Sequence, residues 1–142
     1  NAFAYKNDFV NAAGNYELAL KYNSGFKDAN NNLAIAYREI GKAAGEKEGN
    51  LAKALEYLRK SLTLNPKDPE TNRLTGVAIG MSGAPNDALA YFIAAHEADK
   101  ENAFYMFDLG SAYANIGNAE KAKFYHEEAI RKDPTLQKRL IK

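Results

Sequence analysis

The chain has 142 residues, 46% hydrophobic and 26% charged, a mixture suited to one compact unit or one run of repeats. Lys and Arg number 19 against 18 Asp and Glu, and a net charge of +1 offers no cationic surplus for nucleic acid. With no cysteine, disulfide scaffolds, thiolate zinc sites, cysteine-ligated iron–sulfur clusters and cysteine nucleophiles are all excluded.

In chain order, the first segment (1–26) starts at Asn1 without an initiator methionine, so the chain reads as a piece of a longer one. Ala2 and Phe3 stand thirty-four residues before Ala36 and Tyr37, and Asp8 stands where a second helix would be capped, followed by Ala12, Tyr16 and Ala19. A helical unit cut off within its first helix is expected there. The second segment (27–68) has Leu33, Ala34 and Tyr37 on one helix. A second helix follows from the N-cap Asn50, with Leu51, Ala54, Leu55, Leu58, Ser61 and Leu62 stepping by three and four until Asn65-Pro66. Ala12, Tyr16 and Ala19 lie forty-two residues before Ala54, Leu58 and Ser61, which places an insertion of eight residues near 42–49. Glycines at 41, 45 and 49 each cost a helix about 1 kcal/mol, so the helix is expected to run to about Ala44 and then turn.

The third (69–102) and fourth (103–136) segments repeat with a plain period of thirty-four. Gly76 returns as Gly110, Ala78 as Ala112, Gly83 as Gly117, Ala88 as Ala122, Ala95 as Ala129 and Asp99 as Asp133. Their first helices are carried by Thr75, Gly76 and Ile79 and by Leu109, Gly110 and Tyr113; their second helices start at Pro85 and after Asn118. Residues 137–142 read as the start of a capping helix or of a further repeat. With Tyr125, Phe124, His126 and Ile130 left partly uncovered, Leu136, Leu140 and Ile141 are the nearest apolar residues to seal them. Self-association through this end or through the inner groove is also expected.

A thirty-four-residue helix–turn–helix unit with these columns resembles the tetratricopeptide repeat. The stretches from Leu33 to Gly41 and from Asp108 to Gly117 are similar to the first helix of that family, and Ala122, Tyr125, Ala129, Ile130 and Pro134 are similar to its second. Asn30, Asn72 and Met106 depart from its usual large aromatic early in the first helix, and His126 departs from an aromatic in the second. A pentatricopeptide reading is disfavoured by that family's period of thirty-five and basic RNA-reading face. The resemblance implies an all-α fold, a right-handed superhelical array of antiparallel helix pairs, with a concave groove lined by first helices. It also implies a non-enzymatic scaffold or adaptor binding a protein or peptide partner, the alternative being a structural spacer or assembly arm of a larger enzyme or envelope complex.

Helical spacing places a candidate groove stripe beside the core stripe. In the second segment it comprises Asn32 and Ile35; in the third Arg73, Leu74, Val77 and Met81; in the fourth Phe104, Phe107, Asp108 and Ser111. Leu74, Val77, Met81, Phe104 and Phe107 are expected to form an exposed apolar patch, which reads either as a docking surface or as a face covered by a neighbouring segment. Some members of the family clamp a chaperone tail's carboxylates. Asn1 and Asn32 stand at two of that clamp's asparagine positions, but Glu70 and Leu74 replace its basic residues, and Glu70 repels a carboxylate.

No other chemistry is indicated. His96 has Asp99 three residues on, whereas His126 has only Ala129 and Ile130 at the same offsets, so no metal site is assembled. Phosphate-binding loops, nucleophile elbows and zinc-helix motifs do not occur, and no cofactor is expected. The longest uncharged run, Leu74 to Asn86, is too short to span a bilayer, so membrane insertion is not expected.

Overall fold

The computed structural model describes residues 2–22 and 27–140, with side chains from 8–18 and 29–140. Seven α-helices follow one another: α1 Ala2–Tyr22, α2 Lys27–Glu46, α3 Leu51–Leu64, α4 Pro69–Met81, α5 Pro85–Ala98, α6 Ala103–Asn115 and α7 Ala119–Lys132. A short 3-10 helix, Pro134–Arg139, closes the described chain. Among the described residues there is no strand, and no helix is long and apolar enough to cross a membrane.

Short polar segments set the helix boundaries. The side chains of Asn50, Asp68, Asn102 and Asn118 accept hydrogen bonds from backbone N–H groups in the first turns of α3, α4, α6 and α7, while α5 starts on Pro85. Between paired helices the chain reverses at Gly49, Gly83 and Gly117, whose φ angles of 65°, 96° and 85° lie in the left-handed region where a side chain is strained. Asp8 is a different case. It is exposed in the middle of the continuous helix α1 and starts nothing, because the helix already has its hydrogen-bond partners on both sides. The expected end of the first segment at residue 26 falls outside the described residues.

Helix α2 packs chiefly on α3, α4 on α5 and α6 on α7; successive pairs join through α3 against α4 and α5 against α6, and α1 lies on α2. The result is a right-handed superhelical array of antiparallel pairs. Alanines make the close approaches: Ala54, Ala88 and Ala122 are 1%, 2% and 6% exposed at equivalent places on α3, α5 and α7. Helix α2 runs to Glu46, beyond the expected end near Ala44. Ala43 and Ala44 are buried, and Ala44 packs with Ala54, Leu58, Leu74 and Ala78, so burial offsets the cost of the glycines.

A buried polar network fixes α2, α3 and α4 to one another. Ser61 Oγ donates to the Ala34 carbonyl at 2.6 Å and lies 3.5 Å from Thr71 Oγ1, which donates to the Asp68 carboxylate. That carboxylate also accepts from Arg38 Nη1 at 3.2 Å, which ties α2 to the start of α4. Asn72, which replaces an aromatic, donates to the carbonyls of Pro66 and Asp68, both at 3.0 Å, and ties down the α3–α4 loop.

At the C-terminal end, Leu136 of the 3-10 helix is 2% exposed and packs with Met106, Phe107 and Ala129. A cap therefore covers α6 and α7, built as 3-10 helix from Pro134 onward. Of the apolar residues expected to supply it, Leu140 is exposed and Ile141 lies outside the described residues.

Candidate functional site

The candidate residues stand on α2, α4 and α6, the first helices of three successive pairs. Asn32 is exposed, Ile35 is 44% exposed on α2, and Met81 is 67% exposed on α4; Arg73, Val77, Asp108 and Ser111 are half-buried. Phe104 is 46% exposed at the start of α6. Two residues depart from the expected patch. Leu74 is buried because the extended end of α2 brings Ala44 against it, beside Ala54, Leu58 and Ala78. Phe107 is buried because Leu136 and Ala129 cover one side of it and the His126 ring lies 4.5 Å from its own. Of the expected patch, Met81 and Phe104 are exposed and Val77 is half-buried, with Ile35 exposed on α2.

Val77 and Met81 stand between two clefts. One, of about 530 Å³, opens between α4 and α6 and is lined by Gly76, Gly80, Ala88 and Phe92; the other, of about 290 Å³, opens between α2 and α4 and is lined by Gly41, Gly45, Leu51 and Ala54. Glycine and alanine on both sides leave the room. Met81, unbranched and polarisable, forms the rim common to both.

Charge on this face is largely cancelled within the protein. Arg73 makes a two-pronged contact to Glu70, with Nε to Oε2 at 3.1 Å and Nη2 to Oε1 at 2.7 Å, and its Nη1 lies 3.8 Å from Asp108. Burial alone would raise the Glu70 carboxyl, but the hydrogen bonds and charge of Arg73 outweigh it and hold Glu70 below the usual range. Tyr105 donates to Glu70 at 3.2 Å, and burial, then the Glu70 charge, push its phenol up to about 12. Asp108 goes the other way: burial raises its carboxyl, and the charges of Arg73 and then Arg139 only partly oppose that. Ser111 lies 3.1 Å from Nε2 of His126, whose imidazole is held below its ordinary pKa by burial. That ring lies over Gly110, where an added Cβ would come within 2.6 Å of it.

The sequence profile of the tetratricopeptide repeat matches residues 28–68 and 105–135, half of the chain. The chain belongs to the tetratricopeptide repeat family. A comparison with curated proteins gives no match. Among solved structures, MamA superposes with a TM-score of 0.69 at 24% identity, over 92% of this chain and 72% of that one. YrrB, described as a TPR protein with an unusual peptide-binding site, gives 0.63 at 23% identity over 92% and 81%. The first TPR of Spaghetti (RPAP3), bound to the HSP90 peptide SRMEEVD, gives 0.67 at 19% over 71% and 79%. At these identities the likeness is one of fold.

The tetratricopeptide columns explain which site residues the sequence pattern brings out and which it does not. Val77, Met81 and Phe104 follow from helical spacing alone. Tyr105 and Arg139 do not, because Tyr105 reaches Glu70 from thirty-five residues away and Arg139 comes from the cap. Of the clamp positions, Asn1 lies outside the described residues, Asn32 is exposed, Glu70 is engaged by Arg73, and Leu74 is in the core.

Proposed function

We propose that this tetratricopeptide repeat protein is a non-enzymatic interaction module that holds a partner's segment in its concave groove through apolar contacts. The observation that carries the reading is Met81, two-thirds exposed on the ridge between two clefts walled by glycine, alanine and leucine. An exposed methionine between apolar clefts gains contacts when a partner's side chains enter them. Ile35 and Phe104 extend the apolar track on α2 and α6. Peptide binding by YrrB and by Spaghetti (RPAP3) supports the use of this fold for short segments. An acidic tail such as SRMEEVD is not the segment proposed here, since Glu70 occupies a clamp position and the guanidinium of Arg73 is already taken by it.

Met81→Asp tests the proposal, with far-ultraviolet circular dichroism and affinity capture followed by titration of the captured partner's isolated segment. Helicity and melting stay near the parent's because the side chain is exposed, while affinity falls by about tenfold or more through loss of a central anchor. Unchanged affinity in a folded Met81→Asp chain refutes the groove reading.

A further inference from the structure

We infer that the cleft between α4, α6 and the C-terminal 3-10 helix is a subsite for an arginine side chain of the partner segment, now screened by this chain's own Arg139. The inference rests on the groove reading above and adds the chemistry of one contact. The cleft, of about 280 Å³, is lined by Glu70, Arg73, Asn102, Phe104, Asp108 and Arg139, with Tyr105 at its wall.

Asp108 is the less well matched of the two carboxylates that flank Arg73. Its side chain is 20% exposed, and among the described residues no group donates a hydrogen bond to it; its nearest cation, Arg73 Nη1, stays at 3.8 Å. Arg73 comes no closer because two of its nitrogens already serve Glu70. Tyr105 O–H is directed to Glu70 as well, and the Asn102 side-chain oxygen caps α6. A half-buried carboxylate in such a place is stabilised by a donor that brings positive charge. Beside it, the exposed Phe104 ring offers a face for a planar cation. Arg139 shows that the pair of features accepts a guanidinium: its Cζ lies 5.4 Å from the Phe104 centroid and 5.8 Å from that of Phe107. Yet Arg139 makes no ion pair within 4.0 Å among the described residues, being held back on a six-residue 3-10 helix anchored by Leu136. A partner's arginine is free of that tether. It can stack on Phe104 in place of Arg139 and donate to Asp108 at once, whereas a partner carboxylate finds Arg73 already engaged by Glu70 and meets the Asp108 charge.

The probe is N-acetyl-arginine N-methylamide, titrated into the full chain and its variants while the Asp108 carboxyl and Phe104 ring resonances are followed by NMR. The isosteric neutral control is N-acetyl-citrulline N-methylamide. Saturable shifts are expected with the arginine compound only. Asp108→Asn weakens it by about tenfold, as loss of a charge-assisted contact requires, and Arg139→Ala tightens it by removing the competing guanidinium. Equal response to citrulline, indifference to Asp108→Asn in a chain that melts as the parent does, or no response in Arg139→Ala overturns the subsite. Met81→Asp keeps the arginine response, so loss of partner capture in that variant with the response intact bears on the groove, and the reverse pattern bears on this subsite alone.

Discussion

Gly110→Ala tests the packing of the two helices that carry the C-terminal half of the groove. An alanine Cβ there would lie 2.6 Å from His126 Cδ2, 2.9 Å from its Nε2 and 3.1 Å from the Ala122 carbonyl oxygen. The backbone oxygen cannot move without α7, so the imidazole has to leave and its contact with Ser111 goes with it. Replacing a helical glycine gains about 1 kcal/mol in propensity. Overpacking costs about 1–3 kcal/mol, and the lost hydrogen bond about 1 kcal/mol. The net is a destabilisation of about 1–3 kcal/mol, which for a chain of this size lowers Tm by about 2–12 °C. Gly14→Ala on α1 is the internal control: nothing stands within 4 Å of its added Cβ, so only the propensity gain remains and Tm rises by about 2–4 °C. Thermal melts by circular dichroism give both numbers. A double-mutant cycle with His126→Ala should recover about half of the Gly110 penalty. A Gly110→Ala chain as stable as the parent, or a shift equal in sign and size to that of Gly14→Ala, refutes the close approach.

Two further outcomes follow from the same architecture. Ala88→Leu, at a site 2% exposed, is expected to destabilise by about 1–3 kcal/mol, whereas Ala90→Leu on the exposed side of α5 changes urea midpoints little; equal effects would break the assigned helix register. Burial holds the His126 imidazole below its ordinary 6.5, so the folded state favours the neutral ring and the unfolded chain takes up a proton first. The stability this contributes is present above about pH 6.5 and is lost as pH falls through the folded-state value. Urea melts between about pH 7.5 and 5.5 should therefore slope less in His126→Gln than in the parent, and parallel slopes would show that the ring is free in the fold.

Much of this layout is legible in the residues because small side chains and caps leave local signatures. Asn50 and Asn118 can be read as caps from their place before an apolar stripe, and the alanines of α3, α5 and α7 as close contacts from their common spacing. What escapes is whatever depends on chain from another helix. Leu74 and Phe107 lie on the edge of the core stripe, where spacing alone cannot assign a side; Ala44 decides for the first, Leu136 and His126 for the second. Asp8 misleads because an aspartate is tolerated on an exposed helical face as well as at a cap. Asn72 looks like a missing aromatic until its two carbonyl partners in the α3–α4 loop are seen.

The surface carried by α2, α4 and α6 joins two halves of unlike character, and the division follows from how each of these helices is covered. Toward the C-terminal ends of α2 and α4, glycines at 41, 45, 76 and 80 thin the wall, so the surface there is apolar and open around Met81. Toward the N-terminal ends of α4 and α6, Glu70, Arg73, Tyr105 and Asp108 bring charged and phenolic groups into contact within a partly dry cleft. Arg73 can fully satisfy only one of the two carboxylates that flank it, and the two-pronged geometry gives it to Glu70. Burial therefore raises the Asp108 carboxyl above its usual range, and the charges of Arg73 and Arg139 only partly oppose that. A carboxylate left with one long ion pair, lining the same cleft as an exposed phenylalanine ring, is the combination that a partner's guanidinium would complete in the proposed subsite.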